Sequence, residues 1–545
     1  MNGCIRFIKQ MSQSQWILIC ILVLAAFIRL YQSTQYVPFS EEQVDDMLTI
    51  RSTWHNLSTG NIKGLSLKGQ SGTYRMSYLG LGELTPVYHG VLYYYVLMPA
   101  AVISQFNPYG VVLFLITLGV IAIYLLYDVG NLLFHDERVG LLAAFFGANS
   151  FWMSAYSRWI WTPSMLPFFS LLSWASFLRV ISGKRKWWYP LVVSLSLASQ
   201  MHDSGYVLIL FFSGALLLYK PRLPKESWKK VLLLIFAIGP IIPTLINEYA
   251  EKFRMTRSLS TVFYNALPTL TTVGESLLRF LRSAYGSTIM SQTYIESTFH
   301  FLGAHVWIFV GFCMALGVTL YVEQKQYQVY KSKIVRELDT HYSVVMLLAS
   351  WWALCLLVSV FVEYLYADQV LNDYSRMNNL AFALPVFFIC LSWIYTQVWK
   401  RYSRVVVWVG ICIFISLNGV IIHDYLWSYT ERDWAYKDLK TISWLIPHHA
   451  GDVPYDLVVY RYQEGSYESK NVYVMLYFIE NYPARMPEKF NGAVTWGPTK
   501  ERLEGKTVHQ HMIVMDKRYV GVRELPTNAI QIDKTQGYYL YRVMD

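Results

Sequence analysis

The residues best suited to chemistry stand in "FSEEQVDD", residues 39–46, where Glu41, Glu42, Asp45 and Asp46 place four carboxylates within six positions. Carboxylates so grouped can take a proton from a hydroxyl or amine, or hold a cation. The same stretch also suits a solvated helix start, since Ser40 followed by acids is a good N-cap pattern. Both readings stay open on the local pattern.

Four other places carry candidate groups. Arg158 lies between aromatics in "YSRWIWTP", and Arg376 lies in "DYSRMNN". A guanidinium is a planar fork of donors matched to phosphate oxygens, although an arginine at a span end also snorkels to water. His202 and Asp203 share the short turn "SQMHDSG", and His89 opens "YHGVLYYY". A lone histidine in such a place is as well suited to a structural hydrogen bond as to catalysis, and the tyrosines after His89 suit an interface belt.

The elements that must position these groups are dictated by composition. The chain has 545 residues, of which 54 % are hydrophobic and only 15 % charged, with a mean hydropathy of +0.30. That is too little charge to cover a soluble surface of this size, so the chain reads as an all-α polytopic membrane domain followed by a small α/β domain. The net charge of +10 falls on Lys and Arg between apolar runs, where it sets orientation; it does not call for nucleic acid. None of the six cysteines forms a CxxC pair, which excludes a zinc or disulfide framework of that kind. "PHH" at 447–449 and "HQH" at 509–511 lack an evident third metal ligand.

Eleven spans are expected, at 16–31, 110–127, 139–156, 164–182, 188–202, 204–219, 231–247, 299–322, 343–366, 379–398 and 405–423. The first lacks a small-residue cleavage site and reads as a retained helix. The run 87–106, with Pro99 in its middle, reads as an interfacial or re-entrant helix. A twelfth span there would move every later Lys/Arg cluster to the outer side. With the N-terminus cytoplasmic, the acidic stretch, Arg158, His202, Arg376, the loop 248–298 and the tail all fall on the outer face. The expected organisation is a membrane domain over 1–423, with a first outer loop at 32–109, and an extracytoplasmic α/β domain over 424–545. In the tail, "ERDWAYKDLKTISWLI" and "SKNVYVMLYFIENYP" read as helices; "YDLVVYRY", "HMIVMD" and "GYYLYRVM" read as strands.

In "PFSEEQVDD", "GVLYYYVLMPA", "YDVGNLLFHDERVGLLAAFFGANSFWMSAYSRWIWTPSMLPFFSLL" and "QMHDSGYVLIL", the sequence resembles the GT-C glycosyltransferases of the protein O-mannosyltransferase and aminoarabinose-transferase superfamily. The resemblance covers roughly residues 15–425 and is strongest over 76–220. It implies an integral-membrane enzyme that moves a sugar from a polyprenyl phosphate to a glycan, lipid or protein acceptor on the outer face, inverting the anomeric centre. It also implies catalytic roles for Glu41, Glu42 and Asp45, with Arg158, Arg376, His202 and His89 around the lipid phosphate and sugar. Glu41 matches the leading acid of the family motif, where aspartate is usual, and Val44 stands where an arginine is common. No cofactor is required; a divalent cation held by Glu41 and Asp45 is compatible with the family. Closeness to bacterial members implies a bacterial inner membrane. Two other classes remain to be separated by experiment: a transporter or flippase for a lipid-linked saccharide, and an inactive GT-C-like assembly subunit.

Overall fold

The computed structural model describes residues 11–34, 37, 39, 41–75, 84–253, 256–257, 347–348, 350–352, 354–355, 381–401, 403–423, 436–450, 456–460, 495–496, 510–516, 529–534 and 538–544. Among these, four helices are long and apolar enough to cross a membrane: Gln13–Leu30, Pro108–Phe134, Thr162–Ile181 and Ser227–Ala250. Shorter apolar helices include Leu92–Ile103 and Gly205–Tyr219. The expected span 299–322 and most of 343–366 lie outside the described residues.

In chain order, α1 is Gln13–Leu30, α2 Glu41–Ser58, α3 Leu92–Ile103, α4 Pro108–Phe134, α5 Glu137–Asn149 and α6 Phe151–Tyr156. They are followed by α7 Leu166–Ile181, α8 Trp188–Met201, α9 Gly205–Tyr219, α10 Ser227–Ile238 and α11 Ile242–Ala250. Further along, α12 is Leu384–Arg401, α13 Arg404–Ile422 and α14 Tyr436–Ala450. The helix ends follow capping chemistry. Ser12 and Gln15 form a reciprocal capping box at α1, and Asn107 caps α4 with Pro108 at its first position.

Two expected continuous spans are interrupted. Residues 139–156 are two helices joined at Ser150, whose hydroxyl accepts from Met153 N at 3.3 Å while Asn418 Oδ1 accepts from Phe151 N at 3.0 Å. These side-chain acceptors replace the helical carbonyls and allow the break. Residues 231–247 run as α10, a 3₁₀ turn at Gly239–Ile241 and α11, because Pro240 and Pro243 cannot donate to the ladder. The run 87–106 is also divided, between a strand end at Tyr88 and the 12-residue α3.

Lipid is as apolar as leucine, so close fit and interhelical hydrogen bonds must hold such helices together. A Cβ on Gly140 would meet the Tyr127 carbonyl at 2.5 Å, which is what lets α4 and α5 approach. Ser170 Oγ donates to Phe382 O at 2.7 Å, and Ser173 and Ser194 share a bond of 2.8 Å. Such bonds contribute about 0.6 kcal/mol each on average. Arg29, fully buried near the end of α1, donates to Ser157 Oγ (3.0 Å), Ala25 O (3.1 Å), Ala148 O (3.3 Å) and Gly147 O (3.4 Å). The carbonyls of 147 and 148 end α5, so the cation sits where the helix dipole is negative. Trp174, Phe211, Phe212, Trp351 and Phe382 interlock edge-to-face at the centre of the bundle.

Two sheets accompany the helices. β1 (Ser71–Arg75) and β2 (Leu84–Tyr88) form an antiparallel pair that the sequence reading did not anticipate. Near the C-terminus, β3 (Asp456–Tyr460), β4 (Thr495–Trp496), β5 (Gln510–Asp516), β6 (Ala529–Lys534) and β7 (Tyr538–Met544) make a mixed sheet in the order β4-β3-β5-β7-β6. β3 pairs in parallel with β4 and β5; β7 runs antiparallel to β5 and β6. Helix α14 lies on this sheet and buries Ile442 and Ile446, while Met512, Val514 and Leu540 are buried on the strands. The segment "SKNVYVMLYFIENYP" lies outside the described residues.

Candidate functional site

The acidic stretch folds as the helix α2. Gln43, Val44, Met47, Ile50 and Thr53 are buried and form its inner stripe at helical spacing. Glu42 and Asp45 are exposed. Asp46 sits at the border: it is only 1 % exposed, yet it lines the same cavity as Glu42 and Asp45. Ser40, the expected cap, lies outside the described residues.

That cavity has a volume of about 840 Å³. Besides the three acids, α2 contributes Leu48, Thr49, Arg51, Ser52 and His55; the far wall is Gly69, Gln70 and Tyr88, and α3 adds Tyr94. The far wall is held by main-chain bonds from Gly69 N to His89 O (3.2 Å) and from His89 N to Gln70 O (3.0 Å). A Cβ at residue 69 would collide with the His89 and Gly90 carbonyls, so only glycine permits this approach.

Tyr94 Oη donates to Asp46 Oδ1 at 3.1 Å. Burial pushes the Asp46 carboxyl well above the ordinary aspartate range; the phenol bond opposes this, and the nearby charges of Glu42 and Asp45 add to it. The three acids therefore differ. Asp46 is drawn out of water and holds its proton more tightly than an ordinary aspartate, whereas Glu42 and Asp45 are exposed.

His89 and His202 come together at one end of this wall. His89 Nδ1 lies 3.3 Å from Asp203 Oδ1, and the two imidazoles stack with centroids 4.8 Å apart. His202 Nδ1 accepts from the Ser204 amide at 3.2 Å and pairs with Ser204 Oγ at 2.9 Å, which leaves its proton on Nε2. His202 thus offers a donor and no positive charge at neutral pH. Arg158 is fully buried and donates from Nη1 to Tyr31 O at 3.4 Å, tying the turn after α6 to the end of α1. Arg158, His89 and His202 are not among the residues lining the 840 Å³ cavity, although His89 directly follows Tyr88, which is. Arg376 lies outside the described residues, and the side-chain placement of Glu41 is likewise not described.

Sequence reasoning counted Asp46 among the four acids without a role of its own and assigned none to Tyr94, Arg51, His55 or Gln70. Asp46 had a signal: it falls one position from Met47 on the buried stripe, where an acid needs a partner or a proton. Among the described residues, no group of three His, Cys, Asp or Glu side chains is placed to hold a metal ion. In the tail, His449 Nε2 instead meets Asp533 Oδ2 at 2.8 Å, and His448 stacks on Trp444.

Comparison with known proteins adds one sequence match. Residues 88–246 match the family described as dolichyl-phosphate-mannose-protein mannosyltransferase. The match holds most of the motifs that carried the resemblance, from "GVLYYYVLMPA" to "QMHDSGYVLIL", but it begins after the acidic helix. No curated protein sequence matches the chain. Among solved structures, the Archaeoglobus fulgidus oligosaccharyltransferase AglB, in complex with an inhibitory peptide and a dolichol-phosphate, is 12 % identical with a TM-score of 0.44, covering 93 % of this chain and 70 % of its own. ArnT of Cupriavidus metallidurans bound to undecaprenyl phosphate is 11 % identical with a TM-score of 0.41, covering 97 % and 98 %. The protein O-mannosyltransferase complex of S. cerevisiae bound to the sugar donor is 14 % identical with a TM-score of 0.30, covering 47 % and 34 %.

Proposed function

We propose that the protein is a glycosyltransferase that moves a sugar from a polyprenyl-phosphate donor to a glycan, lipid or protein acceptor, with inversion, on the outer face of a bacterial inner membrane. The observation that carries this reading is the cavity, which places the exposed carboxylates of α2 against Tyr88 and Tyr94 at the start of the matched segment. In this reading residues 1–423 are the membrane domain, with a cytoplasmic N-terminus, and 424–545 form an extracytoplasmic α/β domain.

Asp45, with Glu41 one turn earlier and Glu42 beside it, takes the proton of the acceptor hydroxyl or amine as its heavy atom attacks the anomeric carbon. The C–O bond to the lipid phosphate breaks, and the polyprenyl phosphate leaves with both bonding electrons. Charge then grows on the phosphate, so fixed donors act most strongly in the transition state. Arg158 and Arg376 supply positive charge; His89 and His202 supply ring donors. Glu41 and Asp45 are the residues that would hold a divalent cation, which would supply further positive charge at the phosphate; no step here depends on it.

Mass analysis of envelope glycans and glycolipids from cells with and without the protein tests the proposal. Loss of one sugar from one envelope component is the expected result. Loss of that component with the lipid-linked saccharide accumulating on the cytoplasmic side would replace the reading with a flippase; an unchanged glycan and glycolipid profile would contradict the proposal.

A further inference from the structure

The far wall of the cavity is thin. Gly69, Gln70 and Tyr88 line it, main-chain bonds couple Gly69 and Gln70 to His89, and the β1–β2 pair continues from there at Ser71 and Tyr88. A two-stranded pair is marginal by itself and needs packing to hold its place. His89 supplies that packing. Its side chain is only 10 % exposed, stacks on the His202 ring and places Nδ1 3.3 Å from Asp203 Oδ1. A carboxylate accepts, so the ring donates from Nδ1, and the bond fixes how the imidazole sits. The next residue, Gly90, lies against α8. A Cβ there would meet Gln200 Oε1 at 2.4 Å, and Thr244 Oγ1 of α11 holds that same oxygen at 3.1 Å. Two consecutive residues thus dock the wall on the end of α8 and the turn that follows it.

That turn is well braced. His202 Nδ1 accepts from the Ser204 amide at 3.2 Å, Gly205 N donates to His202 O at 2.8 Å, and Tyr206 N donates to Asp203 O at 3.0 Å. The main chain of Asp203 is therefore fixed, while its carboxylate, 34 % exposed, reaches the wall. The wall has two further ties. Lys68 pairs with Glu251 and lies 4.9 Å from the Tyr88 ring, but it is 43 % exposed, and such a pair contributes little. Tyr95 Oη donates to Ser66 O at 3.3 Å, ahead of the lining residues.

We propose that Asp203 is a positioning residue for the ligand of this cavity. By holding His89 it sets how far Gln70 and Tyr88 stand from the carboxylates of α2, and so how a sugar-bearing lipid phosphate fits between them. This role rests on reading the cavity as the transfer site. Magnitudes separate it from a purely structural one. A single part-exposed bond carries little of the stability of the fold, whereas a misplacement of about 1 Å at a reacting group can cost about 100-fold in rate.

The test uses the full chain in detergent, with a short-chain polyprenyl phosphate carrying a hexose or a pentose as probe. Wild type is expected to bind one of the two. Asp203→Ala weakens that binding about tenfold with an unchanged melting temperature. It also speeds amide exchange at Gly69 and His89, whose N–H groups make the main-chain bonds of the wall. Asp203→Asn keeps an Oδ1 acceptor for the ring and retains the wild-type affinity. His89→Phe keeps a ring on His202 but has no Nδ1, and on that background Asp203→Ala costs nothing further. Where Asp203→Ala fails to fold, faster exchange at Gly69 in His89→Phe is the expected reading, and an unchanged rate there overturns the proposal. Undiminished probe binding in Asp203→Ala overturns it alone, as does a loss in Asp203→Asn equal to that in Asp203→Ala, or additive losses in the double variant. Failure of wild type to bind either probe overturns the transfer-site reading and this proposal with it.

Discussion

Asp128 and Asp46 are both carboxylates withdrawn from water, and the fold treats them in opposite ways. Asp128, on α4, receives both arms of Arg179 at 2.6 and 2.7 Å, and that guanidinium also lies 4.3 Å from the Trp187 ring. It is a closed pair, with fork matched to fork and every charge answered. Asp46, on α2, has the phenols of Tyr93 and Tyr94 and two acids for neighbours, with no cation paired to it among the described residues. A carboxylate kept for structure acquires a counter-charge. One set among phenols and other acids, away from water, holds its proton more tightly instead.

The largest effect should come from the closed pair. Asp128→Ala strands a mostly buried guanidinium and should cost about 3 kcal/mol of stability, read as a lower melting temperature in detergent. On the cavity side, Gly69→Ala forces a methyl into the carbonyls of His89 and Gly90. It should cost about 2 kcal/mol and displace the far wall, which thermal melts and probe binding would both register. Asp46→Asn sharpens the contrast through pH. A carboxyl whose folded-state pKa is raised contributes stability that is complete below the unfolded value and is lost as pH rises through the folded one. Wild type should therefore lose stability as pH rises from the acid range, and Asp46→Asn should lose less; parallel melting curves against pH would show that the carboxyl is not so buried. The smallest effect is expected at Lys400, paired with Asp136 at 2.7 Å but 43 % exposed, where Lys400→Ala should cost less than about 1 kcal/mol.

The long apolar runs were legible because a helix such as Pro108–Phe134 is set by local hydropathy and by caps adjacent in sequence. The acidic helix was legible as a helix start, and the pattern of Val44, Met47 and Ile50 shows which face turns inward. Other features depend on partners far away in the chain. The pairing of His89 with Asp203 spans 114 residues, and the break at Ser150 depends on Asn418, whose bond to Phe151 spans 267. The β1–β2 hairpin is obscured by Pro86 within its second strand, a residue that argues against a central strand and is tolerated here in a two-stranded pair. Asp46 was visible as one acid among four; its separation from Glu42 and Asp45 required knowing that Tyr94 closes over it.

The central claim is that the exposed carboxylates of α2 serve transfer, whereas Asp128 serves only the fold. The direct measurement is transfer by Asp45→Asn protein in proteoliposomes, using the donor that envelope analysis identifies, with melting temperature followed in parallel. Loss of a general base predicts a fall of about 100-fold or more in rate with an unchanged melting temperature. Transfer by Asp45→Asn at the wild-type rate would contradict the account.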